Sequence, residues 1–461
     1  MQNILELAQR YDVRAPRYTS YPTAADFHEG LSPTEREDAI SRTNRDPVPA
    51  PAALYLHLPF CHSLCFYCGC NKVITRNTEK TSKYLEQIAR EASGVAPYLA
   101  PDREVTHVHL GGGSPTYYSP EQLGALMASL GEAFRMAPPE EADWSIEVDP
   151  RTVSPADIRE LRDVGFRRLS FGVQDLDPQV QQAINRFTDV DTLWSLVGAA
   201  KDARFDSINF DLIYGLPYQN QTRFAHTLEQ VIQMVPDRIA MYGYAHLPNR
   251  FRAQRLLEGD ALPSGMAKLG LLHNAIDTLC EAGYEYIGMD HFARPTDALA
   301  RSREAGTMVR NFQGYMPGPD TDLIGLGASA ISSLGGLYCQ NIKSVRQWGF
   351  AVETGATTTE RGYRLSQEDM LRREVINTVM CKDVVHFETF FRHSDTSFEK
   401  HFGHALKQLE PLAGDGLLRL YDDRLEITQT GRLFLRAIAM VFDEHLQKAA
   451  PTARPVFSRV V

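Results

Sequence analysis

The chain has no run of 18 or more apolar residues, so no membrane span is expected. Its opening, Met1-Gln2-Asn3-Ile4-Leu5-Glu6-Leu7, has no basic segment followed by an apolar run, and no secretory leader is expected either. No period in the range of about 20–50 residues repeats along it, which argues against a solenoid. Positive charge is not in excess: 48 Lys and Arg stand against 58 Asp and Glu, for a formal net charge of −10. That balance argues against a general nucleic-acid binder, while leaving room for a local basic pocket. A phosphate loop is missing as well. The run Gly111-Gly112-Gly113-Ser114-Pro115-Thr116 lacks both a Gly-Lys-Ser/Thr ending and the G-x-G-x-x-G spacing. No long heptad or apolar stripe stands out, so a monomer is expected.

Cysteine is scarce, at seven residues in 461, yet four of the seven fall within Pro59-Phe60-Cys61-His62-Ser63-Leu64-Cys65-Phe66-Tyr67-Cys68-Gly69-Cys70-Asn71-Lys72. Thiolates this close repel one another unless a soft metal centre neutralises them. Three readings compete. A zinc knuckle takes paired C-x2-C units, but the spacing here is C-x3-C-x2-C, and Cys280, Cys339 and Cys381 stand alone. Disulfides suit small secreted domains. The third reading is an iron–sulfur cluster on three thiolates, its fourth iron open for a substrate or cofactor; a cluster on four cysteines would be closed. The spacing resembles the radical S-adenosylmethionine (SAM) signature C-x3-C-x-aromatic-C, with Tyr67 at the aromatic position.

At this length the chain can bury a large core and is expected to hold more than one domain. Residues 1–50 read as an arm. Leu5 to Tyr11 reads as a short helix, and Arg14 to Ala24 mixes prolines, β-branched residues and aromatics and should run extended. That stretch is either a loop packed on a neighbouring surface or a lid whose arginines and tyrosines cover an anionic ligand. Residues 32–44 read as a helix capped by Ser32 with Pro33 at its first position.

From Leu54 short apolar strands alternate with helical stretches. The strands read as Leu54–His57, Val105–Leu110, Trp144–Val148, Arg168–Phe171, Ile208–Ile213, Ile239–Tyr244 and Tyr286–Gly288. This alternation implies parallel strands with right-handed crossovers, in a barrel or partial barrel or, alternatively, in a doubly wound open sheet. A barrel places its working groups at the C-terminal strand ends. Those ends carry the cysteines, the glycine run, Glu147-Val148-Asp149-Pro150-Arg151, Gly172-Val173-Gln174, Asp211 with Tyr214-Gly215-Leu216-Pro217, and Tyr244-Ala245-His246. Glu147, Arg186 and Asp211 fit either a ligand site or ordinary ion pairs, and His291 fits a proton donor or a hydrogen-bonded core histidine. The small-residue run 325–333 should be a tight turn or helix start.

From Ser366 the alternation stops. Ser366 caps a helix to about Met380, another covers about 398–412, strands Leu417–Tyr421 and Arg424–Thr428 flank Asp422-Asp423, and a last helix runs from Thr430 to about Glu444. This resembles a winged-helix module. Residues 366–461 hold 13 Lys and Arg against 14 Asp and Glu, too balanced for a DNA-recognition surface.

Several stretches together resemble, nearly end to end, the oxygen-independent coproporphyrinogen III oxidases (coproporphyrinogen dehydrogenases) of haem biosynthesis, a radical SAM family. They are Arg17-Tyr18-Thr19-Ser20-Tyr21-Pro22-Thr23, the cysteine cluster with its Cys-Gly-Cys ending, Gly111–Thr116, Ile146–Arg151, Asn209–Pro217, Tyr244–Pro248, Gly288–Pro295, Arg310–Tyr315 and Phe457–Val461. Ser114 stands where the family often has Thr, and keeps the hydroxyl.

The resemblance implies an α/β fold. A partial (β/α)6 TIM-like radical SAM barrel with an extension would cover 51–365, after an arm or lid over 1–50 and before a mostly helical, winged-helix-like domain over 366–461. It implies a [4Fe-4S] cluster on Cys61, Cys65 and Cys68, with Cys70 close by but not a ligand. It also implies two SAM molecules: Tyr55, Gly112, Glu147, Ala245 and Ile331 would contact the cluster-bound one, and Tyr67, Gly113, Ser114, Gln174, Arg186 and Asp211 the second. The implied reaction is decarboxylation of two propionates of coproporphyrinogen III to vinyl groups by a 5′-deoxyadenosyl radical, giving protoporphyrinogen IX, with an electron donor for the cluster, in the cytoplasm. A related haem-degrading methyltransferase and a non-catalytic haem chaperone are the alternatives.

Overall fold

The computed structural model describes residues 2–11, 13–391, 396–448 and 457. The chain forms two compact units. One comprises Phe27–Ala282 and Asp320–Arg364, the other Met1–Asp26, Gly283–Pro319 and Leu365–Val461. One cut, at 364/365, falls next to the expected division at 365/366; the others, at 26/27, 282/283 and 319/320, do not coincide with the expected division at 50/51. The first 26 residues and the segment 283–319 share a unit with the C-terminal region. Among the described residues no helix is long and apolar enough to cross a membrane.

The larger unit holds six strands in the expected places: β1 (Ala52–Leu58), β2 (Val105–Gly112), β3 (Asp143–Val148), β4 (Arg168–Gln174), β5 (Ser207–Tyr214) and β6 (Arg238–Gly243). Helices α1 (Thr78–Val95), α2 (Pro120–Ala133), α3 (Pro155–Val164), α4 (Val190–Asp202) and α5 (Gln221–Met234) connect them. Polar residues at the helix starts make this local structure. Ser119 and Ser154 close capping boxes with Gln122 and Asp157, and Asn77, Asp189 and Asn220 accept from backbone N–H groups of their first turns. Each such cap is worth about 1 kcal/mol.

All neighbouring pairs from β1 to β6 are parallel, and their spatial order equals their chain order. Crossovers that always step the same way keep their helices on one side, as in a barrel; a doubly wound sheet must reverse its order at a switch point. The strand order is linear, so the barrel is partial.

Register explains the two faces. Leu110, Ile146, Leu169 and Ile208 align across β2 to β5 and are buried, each contributing on the order of 2 kcal/mol. On the other face Tyr55 aligns with His109 and His109 with Ser145; Glu147 aligns with Ser170 and Ser170 with Asn209. Period-two alternation thus separates an apolar row from a polar one.

Four further strands extend the sheet beyond β1: β7 (Asp322–Leu326), β8 (Ile331–Leu334), β9 (Leu337–Asn341) and β10 (Thr359–Arg364). β7 runs parallel to β1, with Tyr55 opposite Gly325, and the rest are antiparallel. The run 325–333 is therefore strand, turn and strand rather than a helix start. The Ser332 hydroxyl accepts from Gly325 N–H at 2.9 Å and closes the turn. The helix expected over 32–44 occupies Glu35–Thr43, with Thr34 as its cap residue. Ser32 does not cap it; its carbonyl accepts from Glu35 N–H, which makes a turn of the segment holding Pro33.

In the smaller unit, Ser366 caps the helix Gln367–Cys381 in a capping box with Asp369, and Phe398–Gly414 is helical. Leu418–Leu420 and Arg424–Ile427 pair as expected, and Val384–His386 adds a third strand. The long last helix does not form. Short helical pieces over Gly431–Phe442 end at Asp443, which is extended and accepts from Leu446 N–H at 2.8 Å, so it caps Glu444–Lys448 instead. The stretch 14–24 is a packed loop. Tyr18 and Tyr21 are buried, the Tyr18 hydroxyl donates to Asp443 at 3.0 Å, Arg17 pairs with Asp290 at 2.8 Å, and Arg436 donates to the carbonyls of Ala15 and Pro16.

Candidate functional site

All fourteen candidate residues lie in the larger unit. The cysteine loop leaves the C-terminal end of β1 and is pinned at both edges. Phe60 and Cys61 pair in parallel with Val73 and Ile74, and Val73 N–H donates to Pro59 O at 2.7 Å. Its middle is tied down by Phe66 N–H to Ile184 O at 3.0 Å, Asn185 Nδ2 to Leu64 O at 2.8 Å, and Gln254 Nε2 to Tyr67 O at 3.0 Å. Phe66 and Tyr67 pack against a buried cluster that includes Val180, Ile184, Leu216, Tyr244 and Leu257.

The glycine run is stapled to this loop. Gly113 N–H donates to Leu58 O at 2.9 Å and Ser114 N–H to Phe60 O at 3.0 Å. A Cβ on Gly113 would stand 2.6 Å from the Pro59 carbonyl carbon. Gly112 has φ +115°, and a Cβ there would meet the His57 ring at 2.5 Å. Only glycine allows this approach.

Glu147, at the end of β3, accepts from Gly112 N–H at 3.0 Å and faces His109 Nε2 at 3.6 Å. Burial alone would push its carboxyl up; the His109 hydrogen bond and charge, with the Gly112 N–H, outweigh that and hold it below the ordinary value. Tyr55 stacks on His109, with centroids 5.9 Å apart, and its hydroxyl meets His57 Nδ1 at 3.1 Å. His57 Nε2 lies 2.9 Å from Asn71 O, so Nε2 carries the proton and Nδ1 accepts from Tyr55. Burial keeps this imidazole neutral by pushing its pKa down.

On β5, Asp211 accepts from Ser170 Oγ and Asn209 Nδ2, both at 2.9 Å. Burial and then the Glu147 charge push its carboxyl up to about 6. Gln174 ends β4 with φ +69°. Arg186 donates to Gly172 O at 2.7 Å, to Asp149 Oδ2 at 3.2 Å and to Cys65 Sγ at 3.5 Å. Ile331 joins the Tyr55 side, because Gly325, opposite Tyr55, abuts the Ile331 backbone. Ala245 is carried to the same strand ends by β6.

Sequence reasoning passed over His57, His109, Asp149 and Arg151. The first two were signalled by the alternation Tyr55-x-His57 and by the register of β1 on β2. Asp149 and Arg151 sat within a quoted strand end but had no role until Arg186 and Cys65 met them.

The donor set fits the implied groups. Among the described residues no three His, Cys, Asp or Glu side chains converge closely enough to hold a single metal ion. A four-iron cluster requires no such convergence, since each thiolate binds a separate iron. Cys68 and Cys70 interact, and this pushes the Cys68 thiol down and the Cys70 thiol up from the ordinary range. Ser114 Oγ is buried with no hydrogen-bond partner among the described residues, which is costly unless a ligand supplies one.

Residues 55–231 match the Radical SAM superfamily, and residues 365–434 match the HemN C-terminal domain. Fold and site together define a radical SAM oxidoreductase, a class that works with a [4Fe-4S] cluster and SAM. The chain is 42% identical over 460 residues to the oxygen-independent coproporphyrinogen III oxidase of Pseudomonas aeruginosa, covering 99% of this chain and 98% of that one. It is 42% identical over 457 residues to the enzyme of the same name from Escherichia coli K12, with the same coverage. The solved structure of coproporphyrinogen III oxidase (HemN) from Escherichia coli superposes with a TM-score of 0.89 at 42% identity, covering 93% of this chain and 97% of that chain. The chain belongs to the oxygen-independent coproporphyrinogen III oxidase family.

Proposed function

We propose that the protein removes two propionate carboxyl groups of coproporphyrinogen III as carbon dioxide, leaving vinyl groups and giving protoporphyrinogen IX without oxygen. The observation that carries this reading is the placement of the Cys61–Cys68 loop. It sits at a parallel-strand end stapled to Gly113 and Ser114, in a chain alike its relatives over nearly its full length. Cys61, Cys65 and Cys68 hold the cluster. Tyr55, Gly112, Glu147, Ala245 and Ile331 hold the SAM bound to it, and Tyr67, Gly113, Ser114, Gln174, Arg186 and Asp211 hold a second SAM. When bound, cluster and SAM would supply the radical that takes hydrogen from the propionate β-carbon, after which carbon dioxide leaves and one electron passes to an acceptor.

The chain's own groups bind and orient. Glu147, kept ionised by His109, accepts from an ammonium or from ribose hydroxyls. Ser114 gains the partner its hydroxyl lacks. Asp211 and Arg186 offer opposite charges to the two ends of an amino acid. The apolar cluster behind Phe66 and Tyr67 keeps water from a reactive radical. In this reading the protein is a cytoplasmic monomer that draws on a low-potential electron donor and uses no nucleic acid; thiolates that ligate iron need a reducing compartment.

An anaerobic assay with coproporphyrinogen III, SAM and a reductant tests the function. Protoporphyrinogen with released carbon dioxide is expected, and it should vanish in Cys65→Ala. Methylated, ring-opened haem from added haem, or haem retention without turnover, would overturn the reading.

A further inference from the structure

We propose that Arg151 is a positioning residue for the electronics of the cluster: held by Asp149, it donates a charged hydrogen bond to Cys65 Sγ and raises the cluster's reduction potential. The proposal rests on Cys65 being a cluster ligand.

The geometry comes from the loop that follows β3. Asp149 is fixed by its own N–H, which donates to Thr116 Oγ1 at 3.1 Å. Arg151 then closes a fork on the carboxylate, with Nε to Oδ1 at 2.9 Å and Nη2 to Oδ2 at 2.6 Å, and its backbone N–H reaches Oδ1 at 3.1 Å. Such a planar fork cannot swing freely. Held this way, Nη2 points at Cys65 Sγ from 3.6 Å, and Arg186 Nη1 approaches the same sulfur from 3.5 Å. Cys65, Asp149 and Arg186 are each less than a tenth exposed, so water screens these charges weakly.

Two guanidinium groups and one carboxylate leave a single positive charge beside one corner of the cluster. Reduction adds one electron from a low-potential donor to the cluster, with no bond made or broken, and so adds negative charge. Hydrogen bonds to the sulfurs and local net charge are the levers that set such potentials. Both favour the reduced form here. Arg186 also binds Gly172 O and is assigned to SAM, so removing it would mix two effects. Arg151 directs its bonds to Asp149 and Cys65 and isolates the electronic one.

The test is a redox titration of the reconstituted full-length enzyme, monitored by electron paramagnetic resonance, without SAM or substrate. At the wild-type midpoint, Arg151→Met should hold about tenfold less reduced relative to oxidised cluster, a downward shift of about 59 mV for a one-electron couple. Arg151→Lys keeps the charge without the fork and should fall in between. If the wild-type chain assembles no [4Fe-4S] cluster, the ligand reading fails and the proposal with it. If the cluster assembles and the midpoint is unchanged in Arg151→Met, the proposal alone fails. If Arg151→Met assembles no cluster, Arg151→Gln decides: a lowered midpoint supports the proposal and an unchanged one refutes it. Loss of the cluster in the Met, Gln and Lys variants alike also refutes it, because Arg151 would then be a scaffold residue.

Discussion

Replacing Asp211 by Asn should make the ligand-free protein more stable and a poorer binder of SAM. The folded-state carboxyl titrates at about 6, raised first by burial and then by Glu147, whereas an unfolded aspartate titrates near ~3.9. The sign follows from the raised value. Below pH ~4 both states hold the proton and the group costs nothing. Between about 4 and 6 the unfolded chain has released it while the folded chain has not. Above about 6 both are ionised, and the folded state bears the whole penalty. A gap of about two pKa units corresponds to about 3 kcal/mol at pH 7.5 and about half that at pH 5.

Asparagine fits the same space. Its carbonyl can face Asn209 Nδ2, and its amide can face Ser170 Oγ, which already accepts from Asn209 at 2.8 Å and can turn its own proton away. No donor is left against a donor. Scanning calorimetry of the apo protein should show a rise on the order of 5 °C at pH 7.5, shrinking by about half at pH 5. Equilibrium dialysis should show SAM affinity at least about tenfold weaker, since an amide cannot balance a cationic ligand. A variant no more stable than wild type at pH 7.5, or one whose gain is the same at pH 5, would refute the argument.

Three other substitutions probe the frame around the site. Glu91, almost fully buried, takes five donors: Arg36 at 3.1 Å, Asn341 at 2.9 Å and Thr358 at 2.6 Å on Oε1, with Gly327 N–H at 2.8 Å and Trp348 Nε1 at 3.2 Å on Oε2. Glu91→Gln sets an amide N–H against two donors and unpairs Arg36 from this carboxylate, so urea unfolding should show a loss of about 3–5 kcal/mol; less than about 1 would refute the hub. Gly113→Ala drives a methyl into the Pro59 carbonyl, which should cost about 1–3 kcal/mol and lower the iron bound on reconstitution; full iron content would show that the staple is slack. Cys70→Ser should keep its full iron and cluster absorbance, while Cys65→Ala should lose both; loss in Cys70→Ser would make Cys70 a ligand.

The elements that were legible in the sequence are those whose stability is decided locally. β1 to β6 are short apolar runs between turn residues, and α2, α3 and α5 start at Ser119, Ser154 and Asn220, caps that act within their own first turn. Once the strands are parallel and ordered, the polar groups and glycines at their C-terminal ends are brought together, and that gathering was legible too. β7 to β10 were not. Asp-Leu-Ile-Gly-Leu is buried throughout β7 and shows no alternation; it is a strand because Ala52 to Leu56 of β1, far away in the chain, lie alongside it. The residues that hold the site were hidden for the same reason. A charged side chain is expected at the surface, and nothing near Glu91 in sequence reveals that Arg36, Gly327, Asn341, Trp348 and Thr358 will converge on it. Asp149 and Arg151 read as a polar strand end until Arg186 and Cys65 arrive from other loops. Contact with a ligand constrains residue type at a predictable place in the fold. Support for such a residue comes into being only when distant segments meet, and that is why Arg151 had to be found in three dimensions.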